Sequence, residues 1–127
     1  MIEMPANRYR WIAERLAHRN DLLVRKMFGC LACYLGGKLV LVLGDKKEPW
    51  NGILLPTDHH HQSTLKNELG SLRKHPVLGK WLYLSEKSVD FEETSVKITQ
   101  LILKSDLRIG VEPKQRRVRK PKRSKPR

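Results

Sequence analysis

The sequence predicts a single α+β domain, a two-layer sandwich in which an antiparallel sheet of about four or five strands carries three helices in the order α-β-β-β-α-β-α. Three observations lead there. Apolar runs of strand length are joined by tight-turn residues, above all Gly36-Gly37, which signals a hairpin. Segments with apolar residues at helical spacing stand before, between and after these runs. No G-x-G-x-x-G or P-loop pattern occurs, and the hairpin-linked strands do not read as βαβ units.

The first helix is expected after Asn7 as its cap. Tyr9, Ile12, Ala13 and Leu16 form its apolar face, and Asn20-Asp21 ends it. Arg8, Arg15 and Arg19 fall within about 40° of one another on the flank of that face. A strand over residues 26–35 leads into the Gly36-Gly37 turn. Residues 38–43 lack alternation, which predicts a central strand buried on both faces. A turn at 44–47 precedes a third strand, Trp50 to Leu55, stopped by Pro56.

Thr57 or Asp58 can cap a second helix whose buried side is Leu65, Leu69 and Leu72, with Gly70 interrupting or ending it. Residues 80–84 read as a short aromatic strand. Asp90 with Glu93 resembles a capping box, opening a third helix over residues 92–107. Ile98, Leu101, Ile102 and Ser105 are expected on its inner side, and Gly110 as its stop.

Charge divides the chain. Residues 113–127 hold nine Lys or Arg, no acid, three prolines and one aliphatic side chain, Val118. Residues 1–112 hold the other seventeen basic residues and all thirteen acidic ones. The segment 113–127 cannot bury enough apolar surface to offset its ordering entropy, so it is expected to be a disordered basic tail on a domain spanning 1–112. The longest apolar run, Leu39 to Leu43, is too short to span a bilayer, and MIEMPANRYRW lacks the apolar stretch of a signal peptide. The expectation is a cytoplasmic protein with no membrane partner and two reduced thiols.

Arg25-Lys26-Met27-Phe28-Gly29, then Tyr34-Leu35-Gly36-Gly37-Lys38-Leu39, with the helix YRWIAERLAHRN upstream, resembles the TfoX N-terminal domain family over residues 8–56. That family usually has a strand pair between its second and third helices, where only 80–84 reads clearly as strand here. Trp81 and the helix before Asp106-Leu107-Arg108-Ile109-Gly110 are similar to the YjbR domain family. Both resemblances imply a compact α+β domain with an antiparallel sheet and no catalytic residues to carry over. The first also implies a bacterial regulatory protein.

Few side chains invite chemistry. Cys30-Leu31-Ala32-Cys33 is a C-x-x-C, but redox pairs sit at helix N-termini, and these two cysteines fall within a strand that would turn them to opposite faces. A zinc site would need a second pair. They read as buried packing residues. His59-His60-His61 point about 100° apart on a helix and cannot all face one ion. Asp90, Glu92 and Glu93 read as helix-start acids. His75 is the one reasonable general base, without a partnered nucleophile. Trp11, Trp50 and Trp81 read as core or rim packing, with one of them open to a stacking role. No metal, cofactor or catalytic set is therefore expected.

The basic tail is the strongest signal. Lys114, Arg116, Arg117, Arg119, Lys120, Lys122, Arg123, Lys125 and Arg127 would neutralise phosphates of RNA or DNA and release counterions, with Arg8, Arg15, Arg19, Arg25 and Lys26 adding a patch on the body. No base-reading motif accompanies them, so low sequence specificity is expected. The alternative, implied by the TfoX resemblance, is a regulatory module that binds a protein partner rather than nucleic acid. The oligomeric state is not legible.

Overall fold

The computed structural model describes residues 4–113. The elements are α1 (Arg10–Glu14), β1 (Leu22–Met27), β2 (Cys30–Leu35), β3 (Lys38–Asp45), β4 (Asn51–Leu55), α2 (His59–Glu68), β5 (Arg73–Lys74), β6 (Leu82–Ser85) and α3 (Phe91–Leu103). One six-stranded sheet has the order β1-β2-β3-β4-β6-β5, and every pairing is antiparallel. The α+β class and three helices stand as read from sequence. The strand count rises to six.

The extra strands have local causes. The stretch 26–35 is not one strand but two, because Phe28 and Gly29 both take positive φ (53° and 77°) and turn the chain back on itself. Met27 then faces Cys30, and the pairing runs to Leu22 opposite Leu35. Positive φ at both central residues is the primed-turn geometry that suits the twist of a hairpin. The Gly36-Gly37 link does the same with φ of 57° and 82°, as its sequence implies. The sixth strand, β5, is two exposed residues paired to β6.

The central strand β3 is buried along Leu39–Gly44, as its unbroken apolar run predicts. It carries one irregularity. Tyr34 pairs with Leu39 and Cys33 with Leu41, which leaves Val40 as an extra residue. Val40 and Leu41 therefore both enter the helix-side core, while Leu39 and Val42 lie on the other face.

The three helices pack on one face of the sheet. Ile12, Ala13 and Leu16 from the first segment, Leu65, Leu69 and Leu72 from the second and Ile98 and Ile102 from the third join Leu31, Leu41, Leu43, Ile53, Leu55, Leu82 and Leu84 in one cluster. Cys33 is in this cluster and Cys30 is not, so the two thiols diverge across the sheet as strand geometry requires. Both are free, and burial pushes Cys33 up to about 12.

Several local expectations are corrected. The third helix ends at Leu103, and Ser105 is exposed at φ 60° rather than facing inward. The Asp90 capping box does not form. Its carboxylate accepts hydrogen bonds from Ser71 and Ser88 instead, which hold it down at about 2. Asn7 precedes the helix but accepts from the Tyr9 N–H in a local turn, with Tyr9 itself at the cap position. Gly110 does not stop the helix. It lies seven residues beyond and donates its N–H to the Pro56 carbonyl at 2.8 Å.

Candidate nucleic-acid interface

The second face of the sheet is built differently. Cys30, Ala32, Leu39, Val42 and Leu54 form its buried floor, and among the described residues no helix covers it. Met27, Tyr34, Trp50, Leu78, Trp81 and Val111 pack over the floor only in part. Between them lies an open groove of about 1090 Å³ whose lining also includes Phe28, Lys38, Thr57, Asp58, Lys80, Leu107, Glu112 and Pro113. Its volume reaches the upper end of small-molecule pockets, which run to about 1,000 Å³.

Each wall has a definable support. One is the loop after β5. The His75 N–H donates to the Trp81 carbonyl at 3.0 Å, and the Trp81 N–H donates to the Leu78 carbonyl at 2.8 Å. His75 Nδ1 accepts the N–H groups of Val77 and Leu78 at 3.1 and 2.9 Å, and Nε2 lies 2.9 Å from the Pro49 carbonyl. A nitrogen accepting two N–H groups carries no proton, so the ring is neutral with its proton on Nε2, donated to Pro49. Burial holds it below the ordinary imidazole range against the opposing pull of that carbonyl. Its ring lies 4.7 Å from Trp50 and 5.3 Å from Tyr83. From the helix side, Gln62 donates to the carbonyls of Gly79 and Lys80, both at 2.9 Å. His75 is thus a buried clamp with both nitrogens engaged, which is not the arrangement of a free general base.

Trp50 comes from the loop between β3 and β4. That loop crosses so close to Gly44 that a Cβ there would lie 2.4 Å from the Trp50 carbonyl oxygen. The opposite wall is the segment after α3. Leu39 and Val111 exchange both backbone hydrogen bonds at 2.9 and 3.0 Å. Arg108 pairs with Glu68 at 2.7 Å and with Asp106 at 2.8 Å, fixing the segment to α2. Glu112 and Pro113 complete this wall.

Phe28 forms the hairpin tip. A primed turn favours Gly, Asn or Asp at such a position, and a left-handed conformation costs a bulky residue about 1–2 kcal/mol. Phe28 is nevertheless 87% exposed, so little packing offsets that cost. An aromatic side chain held in a strained conformation and presented to solvent is the kind of outlier that points to a binding role.

The expected phosphate-binding residues separate into groups. Arg8 pairs with Glu86 at 3.1 Å, Arg19 with Asp21 at 2.8 Å, and Arg15 Nε donates to Thr99 Oγ1 at 2.8 Å. These three are engaged with the body of the protein and do not line the groove. Arg25 and Lys26 are exposed on β1. Arg25 pairs with Ala32 and so shares the groove face, while Lys26 pairs with Leu31 on the helix side. Lys114 to Arg127 lie outside the described residues. Sequence reasoning missed Phe28, Tyr34, Lys38 and Lys80. Lys38 and Lys80 are balanced within the lining by Asp58 and Glu112. Among the described residues, no three His, Cys, Asp or Glu gather as metal ligands, and His59 and His60 are exposed on α2. No helix of the described residues is long and apolar enough to cross a membrane. Comparison with protein-family models, curated proteins and solved structures yields no match to the chain.

Proposed function

We propose that this is a non-enzymatic, nucleic-acid-associated accessory protein of low sequence specificity, in which residues 114–127 supply the phosphate contacts. The observation that carries the reading is where that segment begins. Pro113 stands on the rim of the groove, and the nine cations follow directly in the chain. Because the groove's own charges balance, the attraction for a polyanion comes from this segment and from Arg25, not from the cavity lining.

Truncation after Glu112 tests it. Every strand and helix of the described residues and the Leu39–Val111 bridge remain in such a chain. Full-length protein is expected to bind RNA or DNA oligonucleotides with a steep salt dependence, and the truncated chain to lose most of that affinity. A regulatory protein-interaction role, implied by the TfoX resemblance, is favoured by the exposed apolar side chains Phe28, Val77 and Leu107. Retention of one protein partner after nuclease treatment, with no oligonucleotide binding, would replace the first reading with this one.

A further inference from the structure

We infer that the groove on the open sheet face is a stacking site for unpaired bases, so that the protein selects single-stranded over duplex nucleic acid. This rests on the nucleic-acid reading above and adds the substrate class. The lining supplies aromatic surface, the chemistry that unpaired bases need. Phe28, Tyr34, Trp50 and Trp81 offer aromatic surface along one continuous groove, and bases of any identity stack on such surfaces. Arg25, on the same sheet face, supplies charge for the backbone that links those bases. In a duplex the base faces are covered by their neighbours and only edges are accessible, so the same groove gains nothing from paired bases.

The protein's own tail is a poor occupant. Residues 114–127 contain no aromatic side chain and only Val118 as an aliphatic one. They match the phosphates of a ligand rather than the apolar floor. The open shape suits a polymer passing through.

The experiment uses the full chain with Trp11→Phe, so that fluorescence reports Trp50 and Trp81. It is titrated with oligo(U), oligo(dT) and a duplex of equal length at fixed salt, and repeated with Phe28→Asn. Asn suits the left-handed turn, so this variant is expected to fold. Both single strands should quench the fluorescence and bind more tightly than the duplex. Phe28→Asn should weaken them roughly 5- to 150-fold, the range for losing one stacked base, and leave duplex affinity and its salt slope unchanged. Unequal binding of oligo(U) and oligo(dT) would set RNA against DNA as the source of the strand. Equal affinity for single strand and duplex, with no quenching and no effect of Phe28→Asn, overturns the stacking site while leaving the tail reading intact. Absence of binding to all three ligands overturns both. A protein partner whose binding is lost in Phe28→Asn, with no oligonucleotide bound, would assign the groove to that partner instead.

Discussion

The two faces of one sheet have been finished in different ways. The helix face is closed by leucine and isoleucine from all three helices, and its central side chains, Leu41, Leu43, Ile53, Leu55, Leu82 and Leu84, are fully inaccessible. The groove face has a buried floor of small and medium side chains, yet its upper layer is aromatic and half-exposed. Ordinary stabilisation would favour aliphatic cover on both. The open face instead uses loops, each tied by backbone hydrogen bonds, to hold large rings at the edge of solvent. Stability therefore resides mainly on one side and the proposed binding on the other, which makes the two separable by mutation.

The largest effect should come from the closed face. Leu43→Ala or Ile53→Ala removes a fully buried side chain and should cost about 2–5 kcal/mol in urea denaturation. A cost under about 1 kcal/mol would contradict the division of labour. Next is Gly44→Ala, whose new methyl would meet the Trp50 carbonyl oxygen at 2.4 Å. The loop must move, at about 1–3 kcal/mol, and Trp50 fluorescence should shift with it.

How far all this was legible depended on whether a signal was local. Gly36-Gly37 encodes its turn in residue type, and Leu39 to Leu43 encodes a doubly buried strand in its lack of alternation. Phe28-Gly29 encodes the same kind of turn as Gly36-Gly37, but Phe is among the last residues expected at positive φ, so β1 and β2 merged into one reading. Arg73-Lys74 has no apolar pattern and becomes a strand only because β6 pairs with it. The groove was hidden for a further reason. Tyr34, Trp50, Trp81 and Val111 meet through register and long-range backbone bonds, such as Leu39 with Val111, that leave no trace in spacing. The tryptophans could be named from sequence, but not the fact that two of them share a wall.

A third prediction concerns acid. His75 is held neutral in the fold, with its pKa below the ordinary value, so the unfolded chain binds its proton more readily. Its contribution is complete above about pH 6.5 and is lost as pH falls through the folded value. Urea denaturation across that window should show wild-type stability falling more steeply than that of His75→Gln. The depressed carboxylates Asp90 and Asp106 are present in both wild type and His75→Gln, so their loss at acid pH cancels in the comparison. Parallel curves would mean the ring is not the clamp described. Thiol labelling gives a fourth check: Cys33, fully buried and pushed up to about 12, should react only on unfolding. The smallest effect should be a gain. Phe28→Asn relieves a left-handed phenylalanine and should raise stability by about 1 kcal/mol, read as a higher Tm. A fall in Tm would mean that Phe28 is a packing residue after all.

The most direct measurement compares full-length protein with the chain ending at Glu112, titrating labelled single-stranded RNA and duplex DNA at several salt concentrations. Loss of most binding on truncation is expected, with a full-length slope on duplex near −0.9 per contacted phosphate and tighter binding to the single strand. Equal, salt-insensitive binding by both chains, or none by either near physiological salt, would contradict the proposal that the basic segment brings nucleic acid to the groove.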